Sequence, residues 1–165
     1  VRRDVYEELG GFDNRVGITE DWEMWIRIAS SYPIWYEPEP LAKYRKNSNS
    51  LTSNNIRNAT VIRDMARMIS ILKEENISGR VTDTLVKHTK QNCAFFALCN
   101  ADSLINADDA YGAINQIREA VIMRPNFKVI RSAGRIILLD GSRWLWRKLV
   151  GKLHGKLENQ ADTKT

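Results

Sequence analysis

Glu20 and Asp21 stand side by side in the stretch GITEDWEMWIRIA, residues 17–29, with Trp22 and Trp25 close behind them. Two adjacent carboxylates at the start of a helical pattern suit two kinds of work. They can cap the helix, because the free N–H groups and the dipole of a first turn favour negative charge. One of them can also be a general base, since a rigid helix N-terminus holds a carboxylate in place for an incoming hydroxyl. Local pattern alone favours capping, and the two roles are compatible. Arg45 suits either a phosphate or a carboxylate such as Glu37. His88 stands alone on a polar helical pattern, without partner spacing for a metal, and reads as a surface residue.

The elements that must position these residues follow from periodicity. RRDVYEELGGF predicts a short helix with Val5, Tyr6 and Leu9 on one stripe, ended by Gly10–Gly11, a structural C-cap. In the next helix Thr19 is placed to cap, and Trp22, Trp25, Ile26 and Ala29 recur at the spacing of one buried face. Glu23 and Arg27 lie four apart, in the order that favours an ion pair on another face. Pro33 stops this helix. IWYEPEPLAKYR reads as extended, with Pro38 and Pro40 allowing only an edge or bent strand. Beyond a polar loop, KNSNSLTSNN, strand signals cease and helical patterns cover 55–75, 80–105, 108–123, 127–139 and 142–157.

The order VRRDVYEELGGFD, TEDWEMWIRIA and YEPEPLAKYRKNSNSLT resembles the C-terminal end of the catalytic domain of family-2 glycosyltransferases, the inverting GT-A type. In that family an Arg-Arg/Lys helix, a Gly-Gly-Phe turn, a Glu-Asp helix ending in Arg and a Tyr-Arg close follow one another. The likeness covers about the first third of the chain. It implies that Asp21 is the general base, that Glu20 supports it and that Trp22 helps line the acceptor site; Arg45 stays a candidate for the donor phosphates of the whole enzyme beside its pairing with a carboxylate. Relatives often carry His where this chain has Asn47, a poorer metal ligand, and no Asp-x-Asp occurs in the sequence. A divalent metal, Mg or Mn, is expected in the whole enzyme, with none assigned to these residues.

The fold class expected from these readings is an α/β fragment, the C-terminal end of a GT-A nucleotide-diphospho-sugar transferase domain, followed by a mainly α-helical subdomain and predominantly α overall. The expected division is 1–52 for the catalytic portion, 53–140 for a helical subdomain and 141–165 for a basic amphipathic helix with a polar tail. Within the helical part, AFFALCNADSLINADDAYGAINQIREAVIMRPN matches the small and apolar positions of one tetratricopeptide-like helix pair, about 94–127. One repeat cannot cover its own faces, so a hairpin packed on its neighbours is favoured over a peptide-binding array.

Charge is unevenly spread. Residues 1–52 carry 7 Lys/Arg against 9 Asp/Glu, and residues 126–165 carry 9 against 3. GSRWLWRKLVGKLHGKL sets Trp146, Leu149, Val150, Leu153 and Leu157 in a stripe flanked by basic residues. Such a helix, 142–157, suits an anionic membrane surface or docking on the helices before it. Nucleic acid is not an expected partner, because the tryptophans follow a helical stripe and no recognition motif is present. Cys93 and Cys99 are too few for a disulfide framework, and no leader or spanning segment is apparent, which suggests a cytoplasmic location with a peripheral place on the membrane.

The chain begins at Val1 inside a patterned segment and reads as part of something longer. The function expected is therefore part of an inverting, hexosyltransferase-like glycosyltransferase that moves a sugar from a nucleotide-sugar donor to an acceptor hydroxyl on a glycan or lipid-linked molecule. Its setting would be cell-surface polysaccharide or lipopolysaccharide synthesis. Lacking the donor-binding half, these residues alone are expected to be inactive. The alternative is a helical repeat-like protein-interaction module.

Overall fold

The computed structural model describes residues 1–43, 47, 50–142, 144 and 145. The chain runs through α1 (Arg3–Glu8), α2 (Glu20–Ser31), α3 (Leu51–Arg57), α4 (Thr60–Glu74), a 3-10 turn (Ile77–Gly79), α5 (Asp83–Asn106), α6 (Ala110–Met123) and α7 (Phe127–Arg135), which continues as a π-helical turn (Ile136–Asp140).

No strand occurs among the described residues, which corrects the expected α/β fragment. The segment 34–43 forms no regular element among the described residues, and Ile34, Trp35, Tyr36 and Leu41 are 67, 85, 80 and 79 % exposed. Aromatic and β-branched composition marks a segment that fits a pleated surface; it does not supply the neighbouring strand that such a surface needs. Pro38 and Pro40 also remove two ladder donors.

The main core lies where α4, α5, α6 and α7 meet. Ile62 and Met65 from α4 pack on Ala94, Ala97 and Leu98 of α5, Ala120 and Met123 of α6, and Val129 and Ala133 of α7. Alanines on α5 and α6 let the two helices of the hairpin approach closely. The helix starts are capped in sequence: Thr82, Asp109 and Asn126 accept from the N–H groups of Leu85, Gly112 and Val129, a contribution of about 1 kcal/mol each. The pattern over 55–75 is broken in two by Ala59, whose φ of 53° ends α3 before α4 begins.

The first helices pack on this bundle through a second cluster, where Val16 sits against Met68, Ile71 and Leu72 of α4. A third cluster joins α1 to α2 through Val5, Met24 and Ile28. Gly10 and Gly11, at φ +81° and +74°, turn the chain out of α1. The Gly11 N–H bonds the Tyr6 carbonyl at 2.8 Å, the closure that ends a helix in a Schellman turn.

Candidate functional site

α2 does not bury the face its tryptophans suggest. Trp22 and Trp25 are 47 and 52 % exposed, and Ile26 is exposed too. The packed face instead carries Glu23, Met24 and Ile28, with Glu23 wholly buried. Arg27 explains the rotation. Its guanidinium bonds both Glu23 oxygens, at 2.6 and 2.8 Å, and also donates to the carbonyls of Leu9 and of Gly11, the latter at 2.5 Å. The expected i,i+4 pair therefore forms, but as a clamp that fastens the end of α1 and its glycine turn to α2. Hydrogen bonding to Glu23 raises the Arg27 pKa, against the opposing effect of burial. Removing one partner from such a buried pair typically costs about 3–5 kcal/mol.

The other end of α2 is fixed from the helical bundle. Asp64 of α4 is buried, and its carboxylate accepts the Gly17 N–H at 3.0 and 3.1 Å, the Thr19 N–H at 2.8 Å and the Thr19 hydroxyl at 3.0 Å. Thr19 thus stands at the N-cap without capping; its hydroxyl turns to Asp64 instead. Burial pushes the Asp64 carboxyl up, but the bonds from Thr19 and Gly17, helped by the nearby Ile18 N–H, outweigh it and hold the pKa below the usual value. Sequence reasoning passed over Asp64. The available signal was its register: it lies four residues before Met68, on the packed side of α4.

Glu20, Asp21 and Trp22 open α2 together. Asp21 is half-buried and its Oδ1 accepts the Trp22 N–H at 2.8 Å, while Glu20 is exposed. Neither carboxylate forms an ion pair among the described residues. The result is an acidic, aromatic helix end, tied down by Asp64 behind it and Arg27 one turn further along. Chemically, it can accept a proton or hydrogen bonds from a hydroxyl while an indole face lies alongside.

Of the other residues named from the sequence, Asn47 and His88 are described. Asn47 belongs to the loop that opens α3, where its carbonyl accepts the Ser53 hydroxyl at 2.8 Å and the Ser50 N–H at 3.1 Å. Arg45 lies outside the described residues, as does 146–157 of the basic amphipathic stretch; of its beginning, Trp144 donates through Nε1 to Asp108 and Leu145 is exposed. His88 is exposed, near a cleft shared with Arg124 and Phe127. No group of three or more His, Cys, Asp or Glu side chains among the described residues could hold a metal ion.

A polar cleft of about 480 Å³ lies beside the clamp, lined by the glycine turn, Asp13, Arg15, Arg27 and Glu75. Arg15 closes one side of it, bonded to Asp13 at 2.6 Å and to Glu75. Those bonds from Arg15 hold the Asp13 carboxyl below its ordinary pKa.

No helix among the described residues is long and apolar enough to cross a membrane. No family model, no curated protein and no solved structure matches the chain.

Proposed function

We propose that this chain supplies the acceptor-side carboxylate of an inverting sugar transfer, with Asp21 as general base and Glu20 in support. The carrying observation is the Glu20–Asp21–Trp22 turn, with Asp21 half-buried between exposed Glu20 and Trp22, on a helix end that Asp64 fixes from another part of the chain. A base in such a reaction must stay put while the acceptor moves in, and anchoring of this kind serves that need.

In the proposed step the acceptor hydroxyl gives its proton to Asp21 as its oxygen bonds the anomeric carbon. The bond from that carbon to the nucleotide's phosphate oxygen breaks on the opposite face, so the nucleoside diphosphate leaves and the configuration inverts. Trp22 offers the acceptor sugar an apolar face. Donor binding is assigned to residues other than these 165, which contain no Asp-x-Asp.

The rival reading, a helical interaction module, draws on the α5–α6 hairpin. Much of that hairpin's small-residue surface is already covered, by Ile62 and Met65 of α4 and by Val129 and Ala133 of α7. The test is transfer of a labelled sugar from nucleotide-sugar donors by a polypeptide that joins these residues to a nucleotide-binding unit, with Asp21→Asn as the comparison. Transfer with retained configuration, or transfer indifferent to Asp21, would reject the reading.

A further inference from the structure

We propose that α7 and the π-helical turn after it form a docking face for an anionic membrane surface. Lys128, Arg131 and Arg135 would meet the lipid phosphates, with Phe127, Ile130 and Leu138 lodged just below the headgroups. Membrane docking here does not depend on the sugar-transfer reading.

α7 turns one narrow side to the core, where Val129 and Ala133 are buried. Its other side is open. Phe127, Ile130 and Leu138 are exposed, and so are Lys128, Arg131 and Arg135. At 100° per residue within α7 the three cations fall in one band with Phe127 directly beside it and Ile130 next in order, and exposed Leu138 follows in the π-helical turn. A cleft of about 370 Å³ opens along the basic band, between Phe95 of α5 and the side chains of α7, and is lined by all three cations.

None of the three has a carboxylate partner among the described residues. From Arg124 to Leu139 the sequence contains no acidic residue at all. Three like charges along one helix face repel one another unless an anion lies across them, and large apolar side chains in the adjacent band remain in water unless something covers them. A bilayer with anionic lipids answers both needs at once, because charge and apolar surface meet there at one depth.

Other occupants fit less well. The chain's own residues 146–165 carry five Lys/Arg against two Asp/Glu, so charge disfavours their lying on this face. Nucleic acid would satisfy the cations but leave the aliphatic side chains of Ile130 and Leu138 without a stacking role.

The test is flotation of the full chain with vesicles of phosphatidylcholine containing phosphatidylserine, and with vesicles of phosphatidylcholine alone. Each cation near an anionic surface contributes about fivefold in affinity, so Lys128→Gln/Arg131→Gln/Arg135→Gln should weaken binding roughly 10²-fold. Ile130→Ser/Leu138→Ser should weaken it as well, with the charge unchanged. Helix content by circular dichroism controls for folding. If the triple variant unfolds, the single Arg131→Gln variant should still lose about fivefold.

Several results would overturn the proposal. They are no vesicle binding by the wild type, equal binding to neutral vesicles, or vesicle binding unchanged in the variants. Duplex DNA or inorganic phosphate competing the protein off vesicles at matched ionic strength would also overturn it, by pointing to a general anion site.

Discussion

Asp64→Asn tests whether the helical bundle holds the start of α2. The native carboxylate serves three donors from the loop, the N–H groups of Gly17 and Thr19 and the Thr19 hydroxyl, at 2.8–3.1 Å. An Asn oxygen can keep at most part of that set, and its NH₂ group faces donors where an acceptor is needed. One buried donor left without a partner costs about 1–3 kcal/mol, and the surviving bonds lose their charge assistance. The sum is about 2–4 kcal/mol, which in a chain of this size lowers Tm by roughly 5–12 °C.

The pH dependence has a definite sign. The folded pKa is depressed, so the stabilisation from Asp64 is fully present above the unfolded value near 3.8 and fades as pH falls through the lower folded value. Melting curves from neutral pH down to acid should therefore show a wild-type stability loss on the acid side that Asp64→Asn largely lacks. Trp22 and Trp25 give a local fluorescence readout of the same change. A variant that melts within 2 °C of wild type (on the order of 1 kcal/mol or less), with the same acid limb, would refute the anchor.

Two further perturbations isolate other contacts. Arg27→Met should cost about 3–5 kcal/mol in urea denaturation, because it strands the buried Glu23 carboxylate, whereas Arg3→Met in the exposed Arg3–Glu7 pair should change little. Equal effects of the two would deny the clamp. Gly10→Ala and Gly11→Ala should each destabilise by about 1 kcal/mol, since both have positive φ with open space around them, so only backbone strain is at issue. Gly134→Ala, within α7 and equally unobstructed, should move stability the other way by about 0.5–1 kcal/mol.

What could be read from the sequence follows the range of the interactions involved. α5 and α6 were legible almost to their ends, because Thr82 and Asp109 cap them through contacts three residues away. The Gly10–Gly11 turn was legible for the same local reason. α2 as a helix was plain, but its buried face was not. Apolar periodicity pointed to Trp22 and Trp25, while the burial of Glu23 depends on Arg27 reaching back to the carbonyls of Leu9 and Gly11, 18 and 16 residues away. The link from Asp64 to Thr19 spans 45 residues and has no local signature. The strand expected around Trp35 and Tyr36 failed because a strand exists only by pairing, and no partner is present among the described residues.

The proposed site was legible as a Glu-Asp-Trp run at a helix start, and that run lies at an anchored helix end with Asp21 half-buried between exposed Glu20 and Trp22. Whether Asp21 acts as a base is decided most directly by turnover measured beside melting temperature for Asp21→Asn, in a polypeptide competent to bind the nucleotide sugar. Loss of a general base should lower turnover by about 10²-fold or more. Tm should stay close to wild type, since Asn serves a helix's first turn nearly as well as Asp. Turnover that falls only in step with the folded fraction, or remains near wild type at full folding, would make Asp21 a cap and contradict the account.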